Sequence, residues 1–210
     1  MIREAFTATR AIVRVDGGRG FIVGAGDERF VITAAHCVPP DRLPTSHLTN
    51  SHELTFRNII GSLSSENGAI SAELCVYGLT DDIAVFGAPD DHDECQRYEE
   101  FTAAAAMTIG KLSDAAAPPP LLGLDADPAA FISALEERER HHAHALAAYL
   151  LSLECEWQPC TMHNGGRFLT ILDGADGIKG GMSGSPIINI NGEAIGLVST
   201  GGAGFNVNPS

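Results

Sequence analysis

Three short segments hold residues that could act together on an amide bond. Phe30-Val-Ile-Thr-Ala-Ala-His36-Cys37 ends an apolar strand in a histidine. Thr80-Asp-Asp82-Ile-Ala-Val-Phe puts an aspartate at the mouth of another strand, and Gly180-Gly-Met-Ser183-Gly-Ser-Pro186 sets a serine in a glycine-rich loop before the strand Ile187–Ile190. Amide hydrolysis by a serine needs a base to take the hydroxyl proton and an acid to orient that base. It also needs backbone N–H groups to hold the oxyanion. Glycines beside the serine let the backbone turn sharply and aim its N–H groups inward, where a Cβ would often obstruct. Singly, each segment reads as well as plain structure: a hydrogen-bonded core histidine, a strand entrance, a turn. Together, in this order, they point to nucleophilic catalysis.

In this order and with these neighbours the segments resemble the chymotrypsin-like (trypsin-fold) serine peptidases. Thr33-Ala-Ala-His36-Cys37 is similar to the family's histidine motif and Asp82-Ile-Ala-Val to its aspartate motif. Gly181-Met-Ser183-Gly-Ser-Pro186 resembles the serine motif in the variant with Ser before the proline. The order His, Asp, Ser is not that of the α/β-hydrolases, whose histidine comes last, and Ser185 stands where their nucleophile elbow needs its final glycine. The resemblance implies an all-β fold of two six-stranded antiparallel β-barrels and a serine endopeptidase that needs no cofactor. It implies Ser183 as nucleophile, His36 as general base and then acid, and Asp82, rather than its neighbour Asp81, as the group orienting the histidine. The N–H groups of Gly181 and Ser183 would form the oxyanion hole, and Ser199-Thr200-Gly201 would pair with the substrate backbone. Gly177 falls at the base of the specificity pocket, with Ile178, Val198 and Thr200 lining it. With no carboxylate at that base and no histidine before Ser199, the expected cleavage is after small or medium apolar residues. A one-residue slip would bring Asp176 to the base and favour Arg or Lys instead. The alternative from another class is an inactive module of the same fold that binds a protein partner.

The chain departs from the family in three places. Residue 182 is Met where the zymogen-activated branch has an aspartate that pairs with a newly cut N-terminus, and no Ile-Val-Gly-Gly-like segment lies near residue 10. This favours the bacterial-type branch without N-terminal activation. Cys37 lacks a disulfide partner in the preceding strand, expected around Phe21–Ala25, and so reads as a free thiol. After Ser199 the sequence offers little for a last strand: either Gly204–Val207 supplies a minimal one, or the natural chain continues.

The elements that must position these residues are mostly short strands. Ala11–Val15, Phe21–Val23, Phe30–Thr33, Glu53–Phe56, Leu74–Tyr77 and Ile83–Phe86 have strand character and are separated by turn residues such as Asp16-Gly17-Gly18 and Glu66-Asn67-Gly68. Strands return at Tyr149–Leu153, Pro159–Met162, Phe168–Leu172, Pro186–Ile190 and Ala194–Ser199, with Asn164-Gly165-Gly166 and Asn191-Gly192 as hairpin turns. The expected organisation is a first lobe over 1–90 carrying His36 and Asp82, then an interlobe connection with the start of the second lobe over 91–125. A helical insertion follows over 126–147, and the second lobe over 148–210 carries Ser183. The helix is expected from Asp127 as cap, Pro128 in the first turn and Phe131, Leu135, His142 and Leu146 at helical spacing. The acidic stretch Asp90-Asp91-His92-Asp93-Glu94 reads as a solvated connection.

Composition narrows the partners. The net charge of −14 argues against nucleic acid, whose phosphates need clustered Lys and Arg. No apolar run approaches the roughly 20 residues that span a bilayer. The expected partner is a protein or peptide substrate, and a regulatory protein is a further candidate. Five cysteines, odd in number and sparse for 210 residues, and no signal-like start favour a reducing, cytoplasmic setting. His141, His142 and His144 read as a solvated helix face. Cys155, Cys160 and His163 are expected to hold no metal, and Cys155 could pair with Cys160 only in an exported chain.

Overall fold

A computed structural model describes residues 8–43, 54–64, 68–111, 145–164, 169–199 and 207–209. Twelve strands form two closed antiparallel barrels. The first contains β1 (Ile12–Val15), β2 (Gly18–Ala25), β3 (Glu28–Thr33), β4 (Thr55–Ser62), β5 (Ile70–Gly78) and β6 (Ile83–Gly87), in the order β1-β2-β3-β6-β5-β4, with β1 pairing back onto β4. The second contains β7 (Ala145–Leu151), β8 (Trp157–Asn164), β9 (Leu169–Asp173), β10 (Pro186–Ile188), β11 (Ala194–Val198) and β12 (Val207–Pro209), in the order β10-β11-β12-β9-β8-β7, closed by β10 on β7. This is the chymotrypsin-like double barrel.

Closure removes the unpaired strand edges that an open sheet would expose. Each barrel fills its interior with one face of its strands. Ile22, Val31, Ile60, Ala72 and Phe86 are buried in the first barrel. Leu150, Met162, Leu169 and Ile187 fill the second. β2 breaks the in-out alternation, since its first six residues are all buried. One face of β2 lines its own barrel, and the other lies against the second.

Three sequence expectations need correction here. The acidic stretch after β6 is solvated, as expected, but it is not irregular: it opens helix α1 (His92–Thr102). The Asp91 carboxylate accepts from the N–H groups of Asp93 and Glu94, both at 3.1 Å, and Asp93 and Glu94 lie in the first turn, where the helix dipole favours negative charge. Buried Tyr98 anchors the helix to the first barrel by donating its hydroxyl to the carbonyls of Arg29 and Phe86, each at 3.1 Å. Second, Leu146, placed on the expected helix, lies in β7; residues 112–144, where the rest of that helix and the three clustered histidines fall, lie outside the described residues. Third, the last strand is β12, beginning at Val207, and it bridges β11 and β9. The Asn191-Gly192 turn is present, with Gly192 at φ 77° and the Asn189 side chain accepting from the N–H groups of Asn191 and Glu193.

Between α1 and residue 111 the chain crosses from barrel to barrel. Met107 bonds the Ile22 carbonyl of β2, and Thr108 and Gly110 exchange bonds with Ala194 of β11.

Candidate active site

β3 ends at Thr33, and a short turn, Ala35–Cys37, carries His36 to the surface between the barrels. Because β3 pairs with β6, with Thr33 opposite Ala84, the residue just before β6 comes up beside that turn. That residue is Asp82. Its carbonyl accepts from the Ala35 N–H at 3.0 Å and its Oδ1 from the His36 N–H at 2.9 Å, while its Oδ2 stands 2.7 Å from His36 Nδ1. A carboxylate can only accept, so Nδ1 carries the proton and Nε2 of the neutral ring is left as the acceptor facing the cleft. Ser199, just beyond β11, donates its hydroxyl to the same Oδ2 at 2.5 Å. Asp82 adopts φ of 52°, a left-handed conformation that aspartate tolerates better than most residues. It is Asp82, not the exposed Asp81, that reaches the histidine.

The serine comes from the second barrel. Its loop is shaped by Gly177, Gly181 and Gly184, at φ of 89°, 88° and 80°, which a Cβ would strain. The loop closes on itself through Met182 N–H to the Lys179 carbonyl and Ser185 N–H to the Met182 carbonyl. The Gly184 N–H ties it to the Val198 carbonyl of β11 at 2.6 Å. It is also pressed against the first barrel. The Arg19 N–H of β2 donates to the Ser183 carbonyl at 2.7 Å, and a Cβ on Gly184 would run into the Arg19 carbonyl and stand 2.5 Å from Thr33 Oγ1.

These contacts bring His36, Ser183 and Gly181 to one cleft of about 270 Å³, whose walls include Asp16, Gly17, Val38, Pro39 and Pro40. The Ser183 hydroxyl donates to the Ser199 carbonyl at 3.4 Å. No hydrogen bond joins it to His36 here. Among the described residues, the N–H groups of Gly181 and Ser183 have no acceptor.

The residues expected around the specificity pocket are placed less simply. Ile178 and Val198 belong to the core of the second barrel, packed with Met182, and Val198 is fully buried. Gly177 precedes them in the loop, while Thr200 and Gly201 lie outside the described residues. Asp176 is exposed and accepts from the Gln158 side chain at 3.3 Å.

All five cysteines are free. The position facing Cys37 is Gly18, not the expected stretch Phe21–Ala25: a Cβ on Gly18 would press into the Cys37 sulfur. Burial pushes the Cys37 thiol up to about 11, partly offset by the Thr33 hydroxyl, and pushes the Cys160 thiol up to about 12. Cys155 is exposed while Cys160 lies in the second core, donating to the Ala148 carbonyl. Among the described residues no three His, Cys, Asp or Glu side chains are placed to hold a metal ion.

Sequence reasoning missed three contributors: the Ser199 hydroxyl on Asp82, Gly18 against Cys37, and Arg19 under the serine loop. Only Arg19 had a signal. A cation between two glycines, Gly18-Arg19-Gly20, in an otherwise apolar strand is out of place unless it has partners.

No protein-family model matches the chain, and comparison with curated proteins finds no match. Among solved structures, that of a human pathogenic astrovirus serine protease is similar over 96% of this chain and 91% of its own, at 15% sequence identity and a TM-score of 0.49.

Proposed function

We propose that this chain is a serine endopeptidase in which Ser183 attacks the scissile carbonyl, His36 moves the proton and Asp82 holds the histidine. One observation carries the reading: the Asp82 carboxylate sits 2.7 Å from His36 Nδ1, and the same cleft holds Ser183 and Gly181 from the other barrel. His36 Nε2 then takes the Ser183 proton as the hydroxyl leaves the Ser199 carbonyl for the substrate, and returns it to the leaving amine. The unengaged N–H groups of Gly181 and Ser183 are donors for the oxyanion. The reaction needs no cofactor.

The branch of the family that needs no freshly cut N-terminus suits the chain best. Met182 is 2% exposed and its sulfur accepts from the Lys179 N–H, so the loop is braced from within where an ammonium–aspartate pair would otherwise brace it. Cleavage after small or medium apolar residues is supported by a pocket base without a side chain at Gly177 and by the surface position of Asp176, which leaves no buried carboxylate for Arg or Lys. That all five cysteines are free supports the proposed reducing, cytoplasmic setting.

The test is a fluorophosphonate probe followed by a peptide-library digest read by mass spectrometry. Labelling should fall on Ser183 and vanish in Ser183→Ala, with cuts after Ala, Val, Leu or similar residues. An unlabelled, folded wild-type chain would sink the peptidase reading in favour of an inactive binding module. A digest dominated by cuts after Arg or Lys would overturn the specificity alone.

A further inference from the structure

Arg19 is the one cation in the chain's described core, 6% exposed on a strand of the first barrel, yet its side chain serves the second. Its guanidinium donates to the carbonyls of Ser152 at 2.8 Å and Leu153 at 3.0 Å, with a longer contact to Leu151 at 3.4 Å. These carbonyls lie at the end of β7 and in the turn that follows. That turn is tight in its own right: Ser152 and Glu156 exchange backbone and hydroxyl bonds, and Cys155 takes φ of 63°. Its Leu153 side chain stands 3.5 Å from where a Cβ of Gly181 would be. The backbone of the same arginine meets the serine loop directly: its N–H holds the Ser183 carbonyl, and its carbonyl, which accepts from Thr33 Oγ1 at 2.6 Å, lies where any side chain on Gly184 would have to go.

We infer that Arg19 is a positioning residue for the serine loop. Its guanidinium fixes the 152–156 turn, that turn packs on Gly181, and its backbone sets the height of Ser183 above the first barrel. A cation is suited to this because one planar fork can reach three carbonyl oxygens that converge at the end of a strand, and those of Leu151 and Ser152 belong to buried residues, where an unmet acceptor would be costly. A strand residue with a short side chain could make the backbone contacts but not hold the turn. The inference rests on the peptidase reading for its catalytic consequence, but not for its structural one.

The test compares wild type with Arg19→Met and Arg19→Lys, alongside Ile60→Val as a control that loosens the first barrel's core away from the loop. In Arg19→Met, kcat on a peptide substrate should fall by about 10² to 10³, the loss typical of a misplaced oxyanion donor, with KM changed no more than about threefold. Millimolar guanidinium should restore part of that loss, which a merely destabilised barrel would not show, and Ile60→Val should keep the wild-type kcat. Amide exchange at Gly184 and Ser185 should speed up in Arg19→Met and not in Ile60→Val. Exchange reads the loop whether or not the chain hydrolyses peptides, so an inactive wild type with faster loop exchange in Arg19→Met would sink the peptidase and leave the positioning role standing. If Arg19→Met does not fold, Arg19→Lys decides, since it keeps the charge but loses the fork. A roughly tenfold lower kcat with faster loop exchange is expected. Wild-type kcat and wild-type exchange in a folded variant would overturn the inference.

Discussion

Gly18 is packed so closely against Cys37 that a Cβ there would press on the sulfur and stand 2.9 Å from the Ser183 carbonyl oxygen. One glycine on β2 therefore touches both the turn that carries His36 and the loop that carries Ser183. Gly18→Ala should push these two segments apart and cut turnover by at least about tenfold, since an ångström-scale misplacement of reacting groups costs that much or more. Gly78→Ala is the matched control: a Cβ there meets nothing closer than the Ile83 carbonyl at 3.6 Å, an ordinary contact, and its activity and melting temperature should stay near wild type. Steady-state kinetics and thermal unfolding of the two variants check the contrast, and equal effects at both sites would show that the contact at Gly18 is not decisive.

Asp82 accepts bonds from the Ala35 N–H, the His36 N–H, the His36 ring and the Ser199 hydroxyl. Asp82→Asn should preserve the fold but present Nδ1 with a group that can donate, turning the ring to the wrong tautomer and lowering kcat by about 10⁴. Ser199→Ala removes one of the carboxylate's bonds and leaves its hold on the ring, so a much smaller loss, about tenfold, is expected. If Asp82→Asn hydrolyses peptides like wild type, the histidine is oriented by something else.

The buried thiols give the fold a defined alkaline weakness. Burial raises Cys37 from 9.0 to about 11 and Cys160 from 9.0 to about 12, so each binds its proton more tightly folded than unfolded. That stability is complete below about pH 9, because both states are then protonated. As the pH rises from about 9 to about 11 and 12, the unfolded thiols ionise first and stability falls by about 1.4 kcal/mol per pH unit for each thiol. Buried Tyr98, pushed up by desolvation, steepens the loss further into alkali. Urea unfolding between pH 8 and 12 should show the decline, and Cys160→Ala should lower the plateau but flatten the slope. A slope unchanged in Cys160→Ala would show that this thiol does not titrate with unfolding.

The residues that could be read in advance are those whose type and local spacing decide their place. His36, Asp82 and Ser183 each sit at the end of a short strand signal, and closing two barrels brings those ends together. Turns at Asp16-Gly17 and Asn191-Gly192 follow from backbone chemistry confined to two residues. What escaped depends on packing between segments far apart in the chain. Nothing near Ser199 says that its hydroxyl will meet a carboxylate from the other barrel, and nothing near Gly18 says that Cys37 will press on it. Helix α1 escaped for a different reason. Its acidic opening looks solvated, and only Tyr98 and Thr102, four residues apart, mark the buried stripe. Ile178 and Val198 show the reverse case, since apolar residues expected to line a pocket are packed in the barrel core.

The N-terminal segment offers the clearest contest between activation and stability. In an enzyme switched on by trimming, residues ahead of the first strand are dispensable once cut, and their removal creates the active loop. Here Ala8 is 6% exposed and Ala11 is 1% exposed, the Ala11 N–H bonds the Ala8 carbonyl, and the Thr9 hydroxyl accepts from the Trp157 ring N–H at 2.9 Å. Thr9 thus ties the start of the first barrel to the start of β8 in the second. Residue 182, next to the serine, is a buried methionine and not a carboxylate that could pair with a new ammonium. A chain trimmed to begin at Ala11 should therefore gain no activity. It should lose the Thr9–Trp157 bond and the packing of Ala8, lowering stability by about 1 to 2 kcal/mol, or several degrees in melting temperature. Thr9→Val in the untrimmed chain isolates the hydrogen bond and should account for about half of that loss. A trimmed chain more active than one starting at Met1 would mean that the loop around Met182 is not braced from within, and that a free N-terminus docks there after all.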